Sequence, residues 1–540
     1  MSSITISTTW GYPDLLYLAA ACVGLLLLSL IILTAYNIFL HPLSAYPGPI
    51  HYRASNIPWL IQEWRGNTVH KWADLHDRYG EVVRIAPNQL SYISVGAWRD
   101  IYGARGTAES SSSTVPTQML KEELEFPGDD FEFFAPAKPM ISCDPHSHAR
   151  HRRAVAPAFS ERALRSFEPT IVRFTDDMLD RLEEKQRSLQ EETEQPGAAI
   201  NLMDWFHFVM FDITSALVFG RPFGNLKQGR YHPWVGRIFP GMKLIAWSLV
   251  IAAIPGLGRI LASLLPRKIV DEARRHMQSI VDMTDARCHA QETNPPPHAD
   301  FMSYILPNMA ASQKGKDTSL SAEELYLNAQ LLCIAGSETT ASLLAGAVHF
   351  LSRPENQHHK KRLVAELHTQ FASEGDITPT SLGQRAPFLA AVLNECLRLY
   401  PPGAINMPRT VPRGGATIDG RYVPAGSVVG IAQFAAYRSS RHWVDPLTFA
   451  PERWLPADPA SNRYAADRRE VFKPFSYGPR NCVGQSLAIA ECRLIVAKLF
   501  RRFDVQVLPG QEGWIRQKTF LSWEKPPLMV HIQTERTHHT

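Results

Sequence analysis

Between Phe475 and Gly484 the chain reads Phe-Ser-Tyr-Gly-Pro-Arg-Asn-Cys-Val-Gly, and an apolar helical stretch from Gln485 to Phe500 follows at once. Gly478 and Gly484 bracket one cysteine, Cys482. Glycine permits backbone angles and close approaches that a Cβ blocks, so such a turn can aim several N–H groups at one sulfur. The positive end of the following helix stands near the same sulfur. Both effects favour thiolate over thiol, and a thiolate held this way suits an iron ligand. The competing reading is a buried, inert cysteine, the commoner fate of a lone one. The loop by itself does not decide between them.

A second feature decides where the chain lives. Leu15 to Leu40 carries no charge, and its centre is a run of leucine and isoleucine. About 20 such residues span a bilayer as a helix. A cleaved signal peptide would need a basic segment before the run, whereas this one is preceded by Asp14 and by no Lys or Arg. The run is therefore read as an anchor. Arg53, Arg65 and Lys71 follow it, which orients the large C-terminal part towards the cytosol. His41-Pro42 and Pro47-Gly48-Pro49 read as a stiff, non-helical hinge.

Composition narrows the rest. With 45% hydrophobic and 20% charged residues the chain is neither collagen-like, coiled-coil nor wholly disordered. A mean hydropathy of -0.16 excludes a multi-span membrane protein. The net charge of +4 gives no ground for nucleic-acid binding. The seven cysteines are odd in number and widely spaced, with no C-x-x-C pair. That argues against zinc ribbons, thioredoxin-type motifs and a secreted disulfide framework. The length of 540 residues suggests about three to four domains.

Along the body, Val82–Ile85 and Leu90–Ile93 flank Pro87-Asn88 and read as a hairpin. Gly106–Thr117 reads as a loop, Glu183–Gly197 as a solvated helix end, and Asn294–Pro297 as a break. Short strands are expected near Thr417–Ile431 and helices over most of the remainder. Leu244–Ile254 is too short to span a bilayer; it is either a buried core helix or a surface segment dipping into lipid.

Three further constellations carry chemistry. Glu395-x-x-Arg398 is a helical i,i+3 pair, worth only about 0.2–0.5 kcal/mol on a surface. It lies in an apolar segment, Phe388–Tyr400, where a buried charge needs more partners. Ala335-Gly336-Ser337-Glu338-Thr339-Thr340 lies in a long helix, begun by the capping box Ser321-x-x-Glu324 and stopped by Pro354. Gly336 costs about 1 kcal/mol there relative to Ala, and Thr339 can bond back to the backbone and bend the helix. Its small residues could serve a helix–helix contact, or a groove in which acid and alcohol handle protons. Finally, His148 and Arg152 share one helix face in His148-Ala149-Arg150-His151-Arg152-Arg153, which suits a phosphate site or a solvated surface.

Together these segments resemble cytochromes P450. The first matches the family's F-x-x-G-x-R-x-C-x-G haem loop at every defined position. The helix stretch fits [AG]-G-x-[DE]-T-[TS], and Glu395-x-x-Arg398 precedes Pro451-Glu452-Arg453-Trp454, with Trp where Phe is commoner. Tyr79–Pro87 and the haem loop are similar in style to P450s of filamentous-fungal secondary metabolism. The resemblance implies a mostly α fold with small β-sheets, as one haem domain over 41–540 behind a lumenal tail and transmembrane anchor over 1–40. It overrules the count of several domains. It implies haem b with Cys482 as axial ligand. Arg480, His148, Arg152 and Arg409 would contact the haem propionates, where arginines pair bidentately with carboxylates. Phe475 would pack beneath the loop, and Gly484 would complete it. Thr339 would be the oxygen-activating alcohol and Glu338 its acidic neighbour. Glu395, Arg398 and Arg453 would form a structural triad.

The implied activity is monooxygenation of a lipophilic small molecule, a secondary-metabolite intermediate, using O2 and NADPH-derived electrons. No flavin motif or iron–sulfur cluster is evident, so the implied partner is NADPH–cytochrome P450 reductase in the endoplasmic reticulum membrane. Arg150, Arg153, Lys473, Lys498, Arg501 and Arg502 are the candidate basic face for it. Substrate contacts are expected from Phe131, Phe133, Phe134, Ile405, Asn406, Met407 and Phe520. Two alternatives are a reductase-independent haem-thiolate isomerase or dehydratase, and a non-catalytic membrane haem protein. Retention of Glu338-Thr339 argues against the first, and the intact set of motifs against the second.

Overall fold

A computed structural model describes residues 12–104, 120–121, 137–193, 199–254, 267–294, 296–310, 317–405, 407–456 and 458–534. The expected loop at 106–117, the phenylalanines Phe131, Phe133 and Phe134, and Asn406 lie outside them.

Helix α1 (Tyr12–Ala35) continues as a π-helical turn to Leu40. It is apolar all round and uncovered by protein, with Leu25 65% exposed. A helix of this kind suits lipid rather than water. The hinge after it is fastened to the body. Arg53 donates to the carbonyls of Ile38 and Ser44 at 2.8 and 3.1 Å, and Leu43 and Tyr46 are buried. Gly48 runs so close to the next strand that a Cβ there would lie 2.4 Å from the Arg84 carbonyl oxygen.

Among the described residues the body holds one large apolar core beside two smaller clusters. It is built around α6 (Glu161–Thr193), α7 (Leu202–Phe219), α10 (Ala322–Leu351), α11 (Pro387–Leu399) and α12 (Gln485–Arg502), all contributing to one continuous apolar cluster. The chain also forms α2 (Ile57–Arg65), α3 (Thr68–Tyr79), α4 (Val95–Tyr102), α5 (Pro145–Val155), α8 (Ile238–Ala252) and α9 (Arg267–Thr293). Helix α10 starts at the predicted capping box, with Ser321 and Glu324 each bonding the other's backbone N–H. It ends at Leu351, before Pro354.

The strands are short: β1 (Val82–Ala86), β2 (Gln89–Tyr92), β3 (Leu120–Lys121), β4 (Ile200–Asn201), β5 (Arg409–Thr410), β6 (Ala416–Ile418), β7 (Arg421–Val423), β8 (Val428–Ile431), β9 (Phe503–Val507), β10 (Thr519–Phe520), β11 (Ser522–Trp523) and β12 (Met529–Thr534). The predicted hairpin forms, with Val82 opposite Tyr92. It joins a five-stranded sheet in the order β1-β2-β8-β5-β3. β10 and β11 make a tight hairpin whose turn residue Leu521 has φ +67, a conformation rare for a branched side chain.

Helix α8 is not a core helix. Of its residues Ile238 and Val250 are buried, while Leu244 is 50% exposed. It lies on α2, where Trp247 stacks on Trp64 with ring centroids 4.9 Å apart and donates its indole N–H to the Trp64 carbonyl. Ile57, Ile61, Trp64, Leu244 and Ile245 thereby leave an exposed apolar surface across both helices.

Candidate active site

The cysteine loop is built by one obligatory glycine. Gly478 has φ +76, and a Cβ on it would lie 2.0 Å from the Tyr102 carbonyl oxygen. The loop closes when Cys482 N–H donates to the Phe475 carbonyl at 2.9 Å and Asn481 N–H to the Gly478 carbonyl at 3.1 Å. Phe475 packs against the main core. Gly484 behaves differently from the sequence expectation: its φ is -89, and a Cβ there would make an ordinary 3.6 Å contact with Phe159.

Cys143, Cys333, Cys396 and Cys492 are buried, whereas Cys482 is exposed, which removes the inert-core reading. Burial by surrounding protein pushes its thiol pKa up, against the Gly484 N–H and the charge of Arg152. The loop and helix end therefore do not by themselves ionise the thiol. A bound metal cation does so outright.

Around this loop His148, Arg152, Arg409 and Arg480 converge. His148, on α5, is buried and its pKa is lowered to about 3, first by burial and then by Arg480, Arg152, His151 and Arg409. Arg152 donates to the carbonyl and side-chain oxygens of Asn481 at 2.5 and 2.9 Å. Arg409 is buried, lies 4.9 Å over the Tyr102 ring and donates to the Pro408 carbonyl. Arg480 donates one Nη to the Cys143 carbonyl at 2.8 Å, while its Nε and other Nη are buried without a partner among the described residues. Buried guanidinium N–H groups without acceptors are costly. The cradle calls for anionic oxygens, and a metalloporphyrin with two carboxylates beside a cysteine fits that donor set.

The groove helix resolves its two readings residue by residue. Gly336 serves the helix contact, because a Cβ would sit 3.3 Å from the Thr214 methyl of α7. Ala335 and Thr339, one turn apart, are instead exposed in a stretch that is otherwise largely buried. Thr339 donates to the Ala335 carbonyl at 2.7 Å, the predicted back-bond. Glu338 turns elsewhere. Its carboxylate accepts from Ser522 at 2.7 Å, from His207 at 3.1 Å and from Lys525. Burial would raise its pKa, but Lys525 and His207 hold it low, at about 2. Nothing local in the sequence signals these partners, which come from α7 and the C-terminal hairpin.

The triad is present and larger than expected. Glu395 bonds Arg398 at 2.7 and 2.9 Å and Arg453 at 3.1 Å, all fully buried. Arg453 also pairs with Asp467. The unusual Trp454 donates its indole N–H to Glu395 at 2.9 Å, a bond that Phe cannot make.

The expected basic face is corrected. Arg150 is bound bidentately by Glu324. Lys498 is buried on Asp176, and Arg502 pairs with Asp180 and Glu374. Arg153 is exposed, and Lys473 and Arg501 are half-buried.

Comparison with known proteins places this geometry. The family model "Cytochrome P450" matches residues 46–532. Cytochrome P450 monooxygenase astJ of Aspergillus oryzae is 38% identical over 501 residues, covering 92% of this chain and 93% of that protein. Cytochrome P450 monooxygenase atr2 of Stereocaulon alpinum is 35% identical, with 95% and 96% covered. Cytochrome P450 monooxygenase aclL of A. oryzae is 37% identical, with 93% and 96% covered. An open cysteine loop under a cationic cradle, matched across nine-tenths of the chain, makes this protein a monooxygenase of the cytochrome P450 family.

Proposed function

We propose that the chain is a membrane-anchored haem-thiolate enzyme that inserts one oxygen atom from O2 into a lipophilic secondary-metabolite intermediate. Electrons come from NADPH through NADPH–cytochrome P450 reductase. The observation that carries this reading is an accessible Cys482 on the same loop as Arg480, two of whose buried guanidinium nitrogens have no acceptor among the described residues. The names of the relatives support the monooxygenase chemistry.

Cys482 would ligate haem iron, and Arg480, Arg409, Arg152 and His148 would hold the propionates, with Phe475 and Gly484 shaping the loop. When bound, such a haem supplies the O2-activating chemistry, favoured by electron donation from the thiolate. The protein's part is orientation and proton control. Thr339 presents a hydroxyl to the groove, and Glu338 holds a carboxylate one residue away. Ile405, Met407 and Phe520 would give the substrate an apolar wall.

Residues 1–40 would anchor a haem domain over 41–540 in the endoplasmic reticulum membrane, facing the cytosol. The apolar surface of α2 and α8 would rest on the same bilayer. Arg153, Lys473 and Arg501 remain as the cationic face for the reductase, where charge raises encounter rate more than affinity.

The test is turnover of the detergent-solubilised chain with reductase, NADPH and 18O2 against lipophilic polyketide and terpenoid candidates. One labelled oxygen per product and matched NADPH use are expected. Product formation without NADPH would favour the isomerase or dehydratase chemistry.

A further inference from the structure

Glu338 needs no more than Lys525 to balance its charge and Ser522 to fill a lone pair, yet its other oxygen enters a longer chain. His207 of α7 lies with Nε2 3.1 Å from Glu338 Oε2 and Nδ1 2.9 Å from the Tyr231 hydroxyl. Tyr231 in turn donates to Asp204 Oδ1 at 2.6 Å. The inner end is closed, with the His207 and Glu338 side chains 6% and 4% exposed. The outer end, Tyr231 and Asp204, is half-buried and reaches water. An unbroken line of hydrogen bonds therefore joins solvent to the acid beside Thr339.

Proton counting shows what the line can do. Its three links run from Asp204 to Tyr231, Tyr231 to His207 and His207 to Glu338. Two ionised carboxylates bring no protons, the phenol brings one and a neutral imidazole one. All three links are filled only when a third proton is present. Burial lowers the His207 pKa against the pull of Glu338, with Lys525 lowering it further and Asp204 opposing. Burial and Asp204 push the Tyr231 phenol well up.

We propose that Asp204, Tyr231 and His207 form a proton-delivery line that resupplies Glu338 from solvent during turnover. This rests on the proposed proton-handling role of Glu338 and Thr339. A proton from water enters on Asp204. It passes to the Tyr231 oxygen as the phenol hydrogen moves to Nδ1 of His207 and the Nε2 hydrogen moves to Glu338. One proton is transferred net, only O–H and N–H bonds are exchanged, and no electrons move. Tyr231 and His207 act through Glu338 and are positioning residues.

The test uses the full-length chain and Tyr231→Phe, which removes one hydroxyl and keeps the ring. Hydrogen–deuterium exchange of the His207 imidazole N–H is followed by NMR, with the resonance assigned by His207→Gln. The line predicts exchange about tenfold slower in Tyr231→Phe, since the route to water is cut at its middle. A purely structural network would loosen on losing that bond, so unchanged or faster exchange overturns the proposal. A turnover arm separates the underlying reading: with reductase and NADPH, Thr339→Ala should raise the hydrogen peroxide released per NADPH. If it does not, the groove reading fails, whatever the exchange arm shows of the line.

Discussion

Arg150 grips Glu324 through both terminal nitrogens, at 2.7 and 2.6 Å. The same carboxylate caps helix α10 by accepting from the Ser321 N–H. A residue that looks in sequence like part of a basic docking face is thus a clamp between α5 and the start of the groove helix.

Charge reversal separates the two roles. Arg153→Glu with Lys473→Glu should slow the first electron transfer from reductase about tenfold at low salt, and high salt should erase the difference. Arg150→Glu should instead lower the melting temperature, because it sets two carboxylates together at the cap. Stopped-flow reduction beside thermal melts checks both.

Arg480 should matter to haem retention more than to folding. Its unsatisfied N–H groups point to a carboxylate partner, and lysine cannot present the same fork. Arg480→Lys is expected to release haem faster to an apoprotein acceptor while leaving the far-ultraviolet circular dichroism unchanged.

The triad is a buried-charge problem. Glu395→Gln leaves Arg398 and Arg453 facing a neutral amide, with Asp467 as the remaining carboxylate on Arg453. Breaking such a pair costs about 3–5 kcal/mol. The measurable result is loss of haem-containing soluble protein, or a large drop in unfolding midpoint. Trp454→Phe removes one bond to Glu395 and should cost about 1 kcal/mol.

Glu338 predicts an acid limb of stability. Its pKa is about 2 in the folded chain against an ordinary value of 4.5. The unfolded chain therefore takes up the proton first as pH falls. The stabilisation is present above about 4.5 and is lost as pH drops from there towards 2. Lys525→Met removes the cation that depresses it, so stability near neutral pH should fall and the decline between about 4.5 and 2 should flatten. Circular dichroism against pH reads this directly.

Local chemistry was legible in the sequence where the cause is local. The capping box at Ser321 and Glu324, the hairpin of β1 and β2, the back-bond of Thr339 and the Glu395–Arg398 pair all form as their residues dictate, whereas Arg453 is expected only from the family resemblance. What escaped depends on partners distant in the chain. Lys525 lies 187 residues from Glu338, and no pattern at either end announces the pair. The pairing of Lys498 with Asp176 escaped in the same way, because a basic residue on an amphipathic helix reads alike whether solvated or clamped. Gly484, at φ -89, has no conformational need for glycine, whereas Gly478 has one.

The proposed chemistry requires Cys482 to present a thiolate to haem iron. The most direct measurement is the Soret band of the reduced, detergent-solubilised full-length protein under carbon monoxide. A strong red shift relative to haem with a neutral axial ligand, abolished in Cys482→Ala, is the predicted result. A band at the ordinary position in the wild type, or a red shift that survives Cys482→Ala, would contradict it.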